Sequence, residues 1–272
     1  MTVSTADKRA AFKALHEAGC FVIPNPWDVG SAVALENLGF KALASTSSGM
    51  AWSKGLPDNK VARDVVLAHL TDLAAAVDIP LNADFEGGFA DEPEGVAESV
   101  ALCVETGVAG LSIEDSTGDP DAPLYDFALA VERVAAARAA IGGSGVLLTG
   151  RSEGFIAGRP DMDETVRRLA AYAEAGADVL YAPGVRTEIE IATVVRAVAP
   201  KPVNVLATGL SVATLADLGA RRISVGGALA RTAWGEFLRA AREIAETGEF
   251  TAFARAAKGG ELNALFAPRA AR

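Results

Sequence analysis

Acidic side chains follow two neighbouring predicted strands at the points where those strands end. Asp84 ends one strand, Glu114 and Asp115 end the next, and Asp58 lies in a preceding loop. Carboxylates that converge without lysines repel one another unless a cation lies among them. Oxygen ligands alone favour hard ions, so this set predicts a site for Mg²⁺, with Mn²⁺ as the substitute. The alternative is that these acids cap helices or pair with arginines.

Arg151 follows the fifth predicted strand, next to the acidic set. A guanidinium can hold a carboxylate through two parallel hydrogen bonds, so Arg151 is a candidate for binding an acidic substrate. An ion pair with Glu153 or with a metal-site acid is an equally good interpretation. The turn at residues 47–50, Ser-Ser-Gly-Met, offers backbone N–H groups able to surround an anion.

Several enzyme classes lack the residues that they need at the strand ends. The two histidines, His16 and His69, fall within helical segments, so a Ser-His-Asp triad or a histidine-bound zinc site is not predicted. Cys20 precedes a strand and Cys103 lies within a helix, positions typical of packing residues. No predicted strand ends in lysine, so a Schiff-base aldolase has no nucleophile in place.

Composition limits the partners and the compartment. The 272 residues include 35 acidic and 25 basic ones, a formal net charge of −10. That balance argues against nucleic acid or an anionic membrane as a partner, because both are bound through Lys and Arg. No apolar run reaches the ~20 residues that cross a bilayer, and the first dozen residues lack the apolar stretch of a secretory signal. With two cysteines, the chain is predicted to be cytoplasmic.

Short β-branched segments alternate with longer helical ones, the pattern of repeated strand–helix units. The predicted strands are 21–25, 42–46, 81–84, 110–114, 145–149, 178–181, 203–206 and 222–225. The predicted helices are 31–38, 62–76, 93–106, 125–140, 163–175, 188–197 and 212–218, with another beginning near residue 227. About eight such units predict an α/β fold, a (β/α)8 TIM-type barrel, whose catalytic residues lie at the carboxyl ends of the strands.

The chain is predicted to form one domain, residues 1–272, with extra C-terminal helices in a tail over 248–272. Within the tail, helix-like segments cover 250–257 and 261–266. They would either cap the barrel or reach across to another subunit.

Five segments carry a resemblance to a known family. They are NPWDVGSA after strand 1, STSSGMAWSKGLPD after strand 2, LNADFEGGF at strand 3, LSIEDS at strand 4 and LLTGRSEGF at strand 5. In order and spacing they resemble the isocitrate lyase/phosphoenolpyruvate mutase superfamily over nearly the whole chain. The resemblance implies a barrel that forms homo-oligomers, dimers or more usually tetramers, often with a C-terminal helix exchanged between subunits. It also implies a Mg²⁺ ion that chelates the 2-oxo and carboxylate oxygens of a small ligand.

The same resemblance assigns roles to individual residues. Asp58, Asp84 and Glu114 match the metal shell, which acts largely through water. Asn82 stands where the family has the first acid of a D-x-D pair, so it would bind the metal through an amide oxygen and lower the negative charge of the site. Arg151 matches the arginine that grips the substrate carboxylate. The other implied substrate contacts are Trp27, Ser48, Gly49 and Met50.

The segment after strand 4 departs from the family pattern. Lyases of the family carry K-K-C-G-H there, with the cysteine as acid/base, whereas mutases and phosphonopyruvate hydrolases carry a gate that contains Lys and Asn. Here residues 116–123 read STGDPDAP, without Cys, His, Lys or Asn. Cleavage of isocitrate or methylisocitrate therefore needs a proton from elsewhere, and phosphoryl transfer lacks a cation in this loop.

These features predict a Mg²⁺-dependent lyase or decarboxylase that binds a small 2-oxo carboxylate such as oxaloacetate. Cleavage of a C–C bond would pass through an enolate that the metal stabilises. Arg151 would fix the carboxylate, Asp115 would organise metal-bound water, and Tyr181 or water would donate the final proton.

Three alternatives stay open. An isocitrate or methylisocitrate lyase-like enzyme, or a condensing enzyme, would take 2-oxoglutarate or pyruvate, with Arg186 and Asn204 serving a distal carboxylate. A non-catalytic barrel would bind a 2-oxo acid without turnover. A phosphate-handling barrel would use the glycine turns at 208–209 and 226–227.

Overall fold

A computed structural model describes residues 3–270; residues 1, 2, 271 and 272 of the predicted single domain and its tail lie outside the described residues. The strands are β1 (Phe21–Ile23), β2 (Leu43–Ala44), β3 (Leu81–Asp84), β4 (Gly110–Glu114), β5 (Leu147–Arg151), β6 (Val179–Tyr181), β7 (Val203–Leu206) and β8 (Arg222–Ser224). The helices up to β8 are α1 (Thr5–Leu15), α2 (Val29–Asn37), α3 (Ser47–Ser53), α4 (Arg63–Ala76), α5 (Pro93–Glu105), α6 (Phe127–Ile141), α7 (Met162–Glu174), α8 (Glu188–Val198) and α9 (Val212–Asp217).

The eight strands form one parallel sheet in the order β1-β8-β7-β6-β5-β4-β3-β2. The two ends of that order, β1 and β2, meet at a seam, where Ala44 N–H donates to the Pro24 carbonyl at 3.1 Å. The Asn25 side chain also donates across the seam, to the Ser45 carbonyl at 2.8 Å. The sheet is thus a nearly closed barrel surrounded by helices, and the predicted TIM-type fold is confirmed. Exchange of a helix between subunits stays a prediction.

Helix α1 has no bounds among the predicted helices, although His16, its C-cap, is predicted to lie in a helical segment. Ser4 caps it by accepting the Asp7 N–H, and Phe12 is fully buried on its inner side. Two of its cations bind backbone carbonyls of the barrel: Lys8 Nζ donates to Ala74 and Val77, and Arg9 donates to Val104, Val108 and Ser144. Four of its eleven residues are charged and four are alanines, so few large apolar side chains mark it in the sequence, even though the helix closes the amino end of the barrel.

Strand β5 begins two residues later than predicted. Gly145 has a φ of +84°, a conformation that favours glycine and belongs to the loop before the strand. The strand therefore covers Leu147–Arg151 rather than 145–149, and Arg151 is its last residue.

The predicted turn at residues 47–50 is instead the first turn of helix α3. The Thr46 side chain caps this helix by accepting the Gly49 N–H at 3.3 Å, and Met50 N–H donates to the Thr46 carbonyl at 3.1 Å. The Gly49 and Met50 amides are therefore used within the helix, and the expected anion nest over all four residues does not form.

The chain after β8 is helical. Helix α10 (Ala228–Thr247) is followed by a 3-10 helix over Thr251–Arg255 and by α11 (Gly259–Ala270). The Asn37 side chain of α2 donates to the Leu265 carbonyl, so α11 packs against the barrel of its own chain. Among the described residues, no helix is long and apolar enough to cross a membrane.

Candidate active site

A polar cavity of about 180 Å³ opens among the carboxyl ends of the strands and extends into the barrel. Polar and charged residues from six strands, β3 to β8, and from the segments that follow β1 and β2 form most of its wall. They are Asn25, Ser45, Thr46, Ser47, Ser48, Asp58, Asn82, Asp84, Ser112, Arg151, Tyr181, Asn204, Arg222 and Ser224. The interior of this barrel is therefore built to receive a small polar ligand.

Arg151 lies at the centre of the ionic contacts in this cavity. Its Nη1 is 3.2 Å from Asp84 Oδ1 and 3.1 Å from Glu114 Oε2, while Nε and Nη2 donate to the Glu153 carboxylate. The side chain is 16% exposed. Burial by itself lowers the pKa of Arg151, but Glu114, Glu153 and Asp84 together raise it well above the ordinary value. The guanidinium is a permanent cation held in a fixed orientation.

Acids outnumber cations around Arg151. Burial raises the pKa of Glu114 well above its usual value, and the neighbouring acids Glu153, Asp84 and Glu86 raise it further against the effect of Arg151. Burial, followed by the charges of Asp84 and Asp58, raises the pKa of Glu86 to about 7. Such shifts mean that the carboxylates are short of positive charge, a shortage that a divalent cation would relieve.

The residues present fit Mg²⁺ bound largely through water. No group of three His, Cys, Asp or Glu among the described residues is placed to hold a metal ion directly. Mg²⁺ commonly retains several waters and contacts one or two carboxylates, so a direct protein cage is not required. Buried Asn82 adds a neutral ligand candidate, because its Oδ1 has no hydrogen-bond partner in the described part of the chain. The predicted metal residues Asp58, Asn82 and Asp84 line this cavity. Glu114 does not line it but forms an ion pair with Arg151, which does.

Backbone and hydroxyl contacts fix the acid at the end of β3. Ser47 N–H donates to Asp84 Oδ2 at 3.0 Å, and Asp84 N–H donates to Ser45 Oγ at 2.8 Å. The Ser48 hydroxyl lies 3.1 Å from Thr46 Oγ1 and lines the cavity. Opposite it, a Cβ at Gly227 would come within 2.7 Å of Ser48 Oγ, so glycine keeps this side of the opening clear.

Tyr181 and Asn204, both predicted as site residues, also line the cavity. Burial raises the pKa of Tyr181 to about 12, so its phenol keeps its proton at neutral pH and can donate a hydrogen bond. The Arg151 guanidinium carbon lies 5.4 Å from the Tyr181 ring centroid. Tyr181 is therefore a proton-bearing group beside the cation that the sequence predicts for the substrate carboxylate.

Besides Glu114, five predicted site residues do not line this cavity. Asp115 is 2% exposed and accepts hydrogen bonds from Tyr172 Oη and from the Glu153 N–H, both at 2.7 Å. Trp27 faces a shallow surface depression beside α10, and Arg186 is exposed before α8. Gly49 and Met50 are buried in α3 and do not line the cavity either.

Residues 116–123 fold back on themselves beside the acidic side of the site. Ser116 pairs with Leu124 in an isolated bridge, and Thr117 N–H donates to the Pro123 carbonyl at 3.1 Å. With Asp58, Glu86 and Glu114, the first residues of this loop line a second, more open cavity of about 490 Å³. The loop thus forms a wall of the site without contributing a Cys, His, Lys or Asn.

Glu86 and Arg222 were absent from the sequence-based site. Glu86 has a φ of +49°, uncommon for a residue other than glycine, and the sequence offers no signal for that conformation except the Gly-Gly pair that follows. Arg222 did carry a signal. It lies two residues before Ser224 in the last predicted strand, so alternation places both on one face.

Backbone N–H groups of the glycine turn after β8 are hydrogen-bonded within the protein. The N–H groups of Val225 and Gly226 both donate to Asn25 Oδ1 at 2.9 Å. These two amides hold the barrel together and are not free for the phosphate group that the third alternative places there.

Comparison with known proteins places the chain in a family. The family model described as phosphoenolpyruvate phosphomutase matches residues 12–245. A crystal structure of a candidate lyase/mutase from Burkholderia cenocepacia J2315 shares 50% identity and a TM-score of 0.94, covering 97% of each chain. A phosphonopyruvate hydrolase, solved in complex with oxalate and Mg²⁺, shares 26% identity and a TM-score of 0.85, covering 100% of this chain and 97% of its own. The oxaloacetate decarboxylase of Paraburkholderia xenovorans is 30% identical over 66% of this chain and 62% of its own length.

Proposed function

Because the chain belongs to the phosphoenolpyruvate mutase/isocitrate lyase superfamily of enzymes, we propose that it is a Mg²⁺-dependent carbon–carbon lyase of a small 2-oxo carboxylate. Oxaloacetate or a close analogue is the proposed substrate. One observation carries the proposal. At the opening of a small polar cavity, the buried and permanently charged Arg151 forms ion pairs with three carboxylates.

The size of the cavity and the named relatives support this substrate class. A cavity of about 180 Å³ suits an acid of a few carbon atoms better than a large ester or nucleotide. One relative is named an oxaloacetate decarboxylase, and a similar structure binds oxalate with Mg²⁺. Oxalate carries the two adjacent carboxyl groups that mimic the 2-oxo carboxylate end of such a substrate.

We assign separate roles in binding and in proton transfer to Arg151 and Tyr181. Glu153 holds Nε and Nη2 of Arg151, so Nη1 is the nitrogen directed at Asp84 and Glu114 in the ionic cluster. Tyr181, which keeps its proton at neutral pH, is the proposed donor to the carbon from which the leaving group departs. Mg²⁺ held by Asp58, Asn82, Asp84 and Glu114 would polarise the 2-oxo group and accept negative charge as the C–C bond breaks.

The loop at residues 116–123 favours the smaller substrate. It forms a wall of the site without a Cys, His or Lys, and its aspartates Asp119 and Asp121 are exposed. Cleavage of isocitrate or methylisocitrate removes the proton of the 2-hydroxyl, which becomes a carbonyl, and adds a proton to the carbon released by the broken C–C bond. This loop lacks the acid/base Cys of the lyases for such a transfer. Decarboxylation of an oxaloacetate-like acid requires the protonation of one carbon after CO2 departs, which Tyr181 or water can perform.

Calorimetric titration of oxalate, with and without Mg²⁺, tests the proposal together with CO2 release from oxaloacetate. Wild-type protein should bind oxalate only with the metal and should release CO2 faster than free Mg²⁺ does. Glu114→Gln removes one charge next to Arg151 and should weaken oxalate binding in Mg²⁺ at least about 30-fold, since a buried charge loses its partner. Glu246→Gln, an exposed change on α10, is the matched control and should behave as wild type.

Two results would contradict the proposal. One is oxalate binding of equal strength with and without Mg²⁺. The other is full activity of Glu114→Gln on every 2-oxo acid that the wild type converts. Tight Mg²⁺-dependent binding without turnover of any acid would support the non-catalytic alternative.

A further inference from the structure

A second arginine lies in the same cavity, closer to the amino ends of the strands. Arg222 is the first residue of β8, is 3% exposed and lines the cavity. Its Nε donates to Asn204 Oδ1 at 2.8 Å, and its Nη2 donates to Thr149 Oγ1 at 3.1 Å. Nη1 lies 3.5 Å from His16 Nε2, beyond the amino end of the barrel. All three partners are neutral groups.

Arg222 differs from Arg151 in having no acidic partner among residues 3–270. None of the ion pairs formed by the described residues includes Arg222, whereas Arg151 contacts three carboxylates. Burial lowers the pKa of Arg222 to about 10, so the side chain still carries its charge at neutral pH. A buried, unpaired guanidinium is costly for a folded protein, and a ligand anion would relieve that cost.

The guanidinium also has hydrogen-bonding capacity to spare. It carries five N–H donors, and the three contacts with described residues account for one on each nitrogen, so each terminal nitrogen keeps another N–H. Asn204 fixes the orientation, because its Oδ1 accepts from Arg222 while its Nδ2 donates to Ser224 Oγ at 2.9 Å. A carboxylate in this part of the cavity would therefore find unused N–H donors on a guanidinium whose orientation is already fixed.

The two arginines are separated by a distance that suits the two ends of one small acid. Thr149, which contacts Arg222, precedes Arg151 by two residues on the same face of β5, a rise of about 7 Å. An extended chain of four or five carbons spans about 4–5 Å between its terminal carbons. Hydrogen bonds of about 2.9 Å at each end extend that reach enough to join both cations.

We propose that Arg222 binds the distal carboxylate of the substrate, so that the enzyme selects 2-oxo dicarboxylic acids over 2-oxo monocarboxylic acids. This inference rests on the proposed function for the other end of the same ligand. The acidic cluster around Arg151 receives the 2-oxo carboxylate end, and the acid-free part of the cavity around Arg222 receives the far end. Asn204 acts as the positioning residue for Arg222.

Calorimetry with paired acids, in the presence of Mg²⁺, separates the two ends of the ligand. Wild-type protein should bind oxaloacetate or 2-oxoglutarate at least about 30-fold more tightly than pyruvate or 2-oxobutyrate, as expected for a buried charged contact. Arg222→Met should remove that preference and leave the affinity for oxalate, which lacks a distal end, within about twofold. Arg222→Lys keeps the charge but not the fork, so it should retain part of the preference.

Thermal unfolding of each variant shows whether the barrel is intact. If Arg222→Met does not fold, Arg222→Lys provides the test. Its preference for dicarboxylates over monocarboxylates should be smaller than that of the wild type, with unchanged affinity for oxalate. Equal weakening of oxalate and dicarboxylates in a folded variant would overturn the proposal, because it would indicate a structural role for Arg222. Equal affinity of the wild type for dicarboxylates and monocarboxylates would also overturn it.

A metal-free titration with succinate and glutarate separates this inference from the proposed function. If oxalate fails to bind with Mg²⁺ but succinate or glutarate binds and Arg222→Met abolishes that binding, the anion site at Arg222 stands and the lyase proposal fails. If oxalate binds and no dicarboxylate depends on Arg222, the lyase proposal stands and this inference fails.

Discussion

Asp115 allows a direct test of whether a predicted catalytic acid is a buried structural anion. Its Oδ1 accepts the Glu153 N–H, and its Oδ2 accepts Tyr172 Oη at 2.7 Å and lies 3.2 Å from Arg168 Nη1. These contacts lie behind the sheet, outside the residues that line the cavity. The substitution Asp115→Asn keeps the shape of the side chain and removes its charge.

The structure sets the size of the expected loss of stability. Breaking a buried ion pair by neutralising one partner costs about 3–5 kcal/mol. Arg168 keeps a second partner, Glu164, with Nε 2.7 Å from Oε1, so we expect the lower end of that range, about 3 kcal/mol. Tyr172→Phe removes one hydrogen bond to the same charged group and should cost about 2 kcal/mol.

Urea unfolding, followed by circular dichroism, measures both costs. With a urea dependence of about 3 kcal/mol per molar for a chain of this size, Asp115→Asn should lower the midpoint by about 1 M. Tyr172→Phe should lower it by less. Oxalate binding in Mg²⁺ should change less than threefold in both variants below the unfolding range. The reasoning is refuted if Asp115→Asn unfolds with wild type but no longer binds oxalate, because Asp115 would then act at the metal.

Two further predictions concern the amino end of the barrel. Burial, aided by the charge of Arg222, lowers the pKa of His16 to about 3. Below pH 6.5 the unfolded chain therefore binds a proton that the folded chain does not. The contribution of His16 to the free energy of unfolding is fully present above pH 6.5 and is lost as the pH falls towards 3. Between pH 7 and pH 5 this loss is about 2 kcal/mol in urea unfolding, and it should disappear in His16→Gln; an equal loss in that variant would contradict the assignment. Gly110→Ala would place a Cβ 2.6 Å from both Asn82 Oδ1 and the Phe12 ring, and should lower the unfolding free energy by about 1–3 kcal/mol. Gly143→Ala, where nothing lies within 4 Å, is the control, and equal stability of the two variants would show that the site can relax.

The barrel and part of its site could be predicted because charged residues stand at the carboxyl ends of the predicted strands. Asp84, Glu114 and Arg151 end three consecutive strands, and parallel strands bring their carboxyl ends to one edge. Two interpretations of Arg151 were left open at that stage. The structure shows ion pairs of Arg151 with Glu153 and with Asp84 and Glu114, two of the predicted metal ligands, and these contacts fix the orientation of Arg151.

Other site residues could not be placed from sequence alone. Glu114 and Asp115 are adjacent in sequence, and adjacent side chains in a strand face opposite sides of a sheet. The alternation therefore shows that one of them leaves the cavity, but long-range contacts with Tyr172 and Arg168 decide that it is Asp115. Arg222 was missed because a cation at the start of a strand is usually solvated. Burial by His16 and by α1, a helix with few large apolar side chains, places Arg222 inside the barrel.

The seam between β1 and β2 is held by fewer hydrogen bonds than the paired strands of the barrel. Hydrogen-bonded ladders resist separation along the other seven strand contacts, whereas this one depends on a backbone bond and on the side chain of Asn25. Asn25 also binds the chain just after β8, so a single amide ties three segments together at the opening of the cavity. We therefore expect separation of the strands on unfolding to begin at this seam, next to α3.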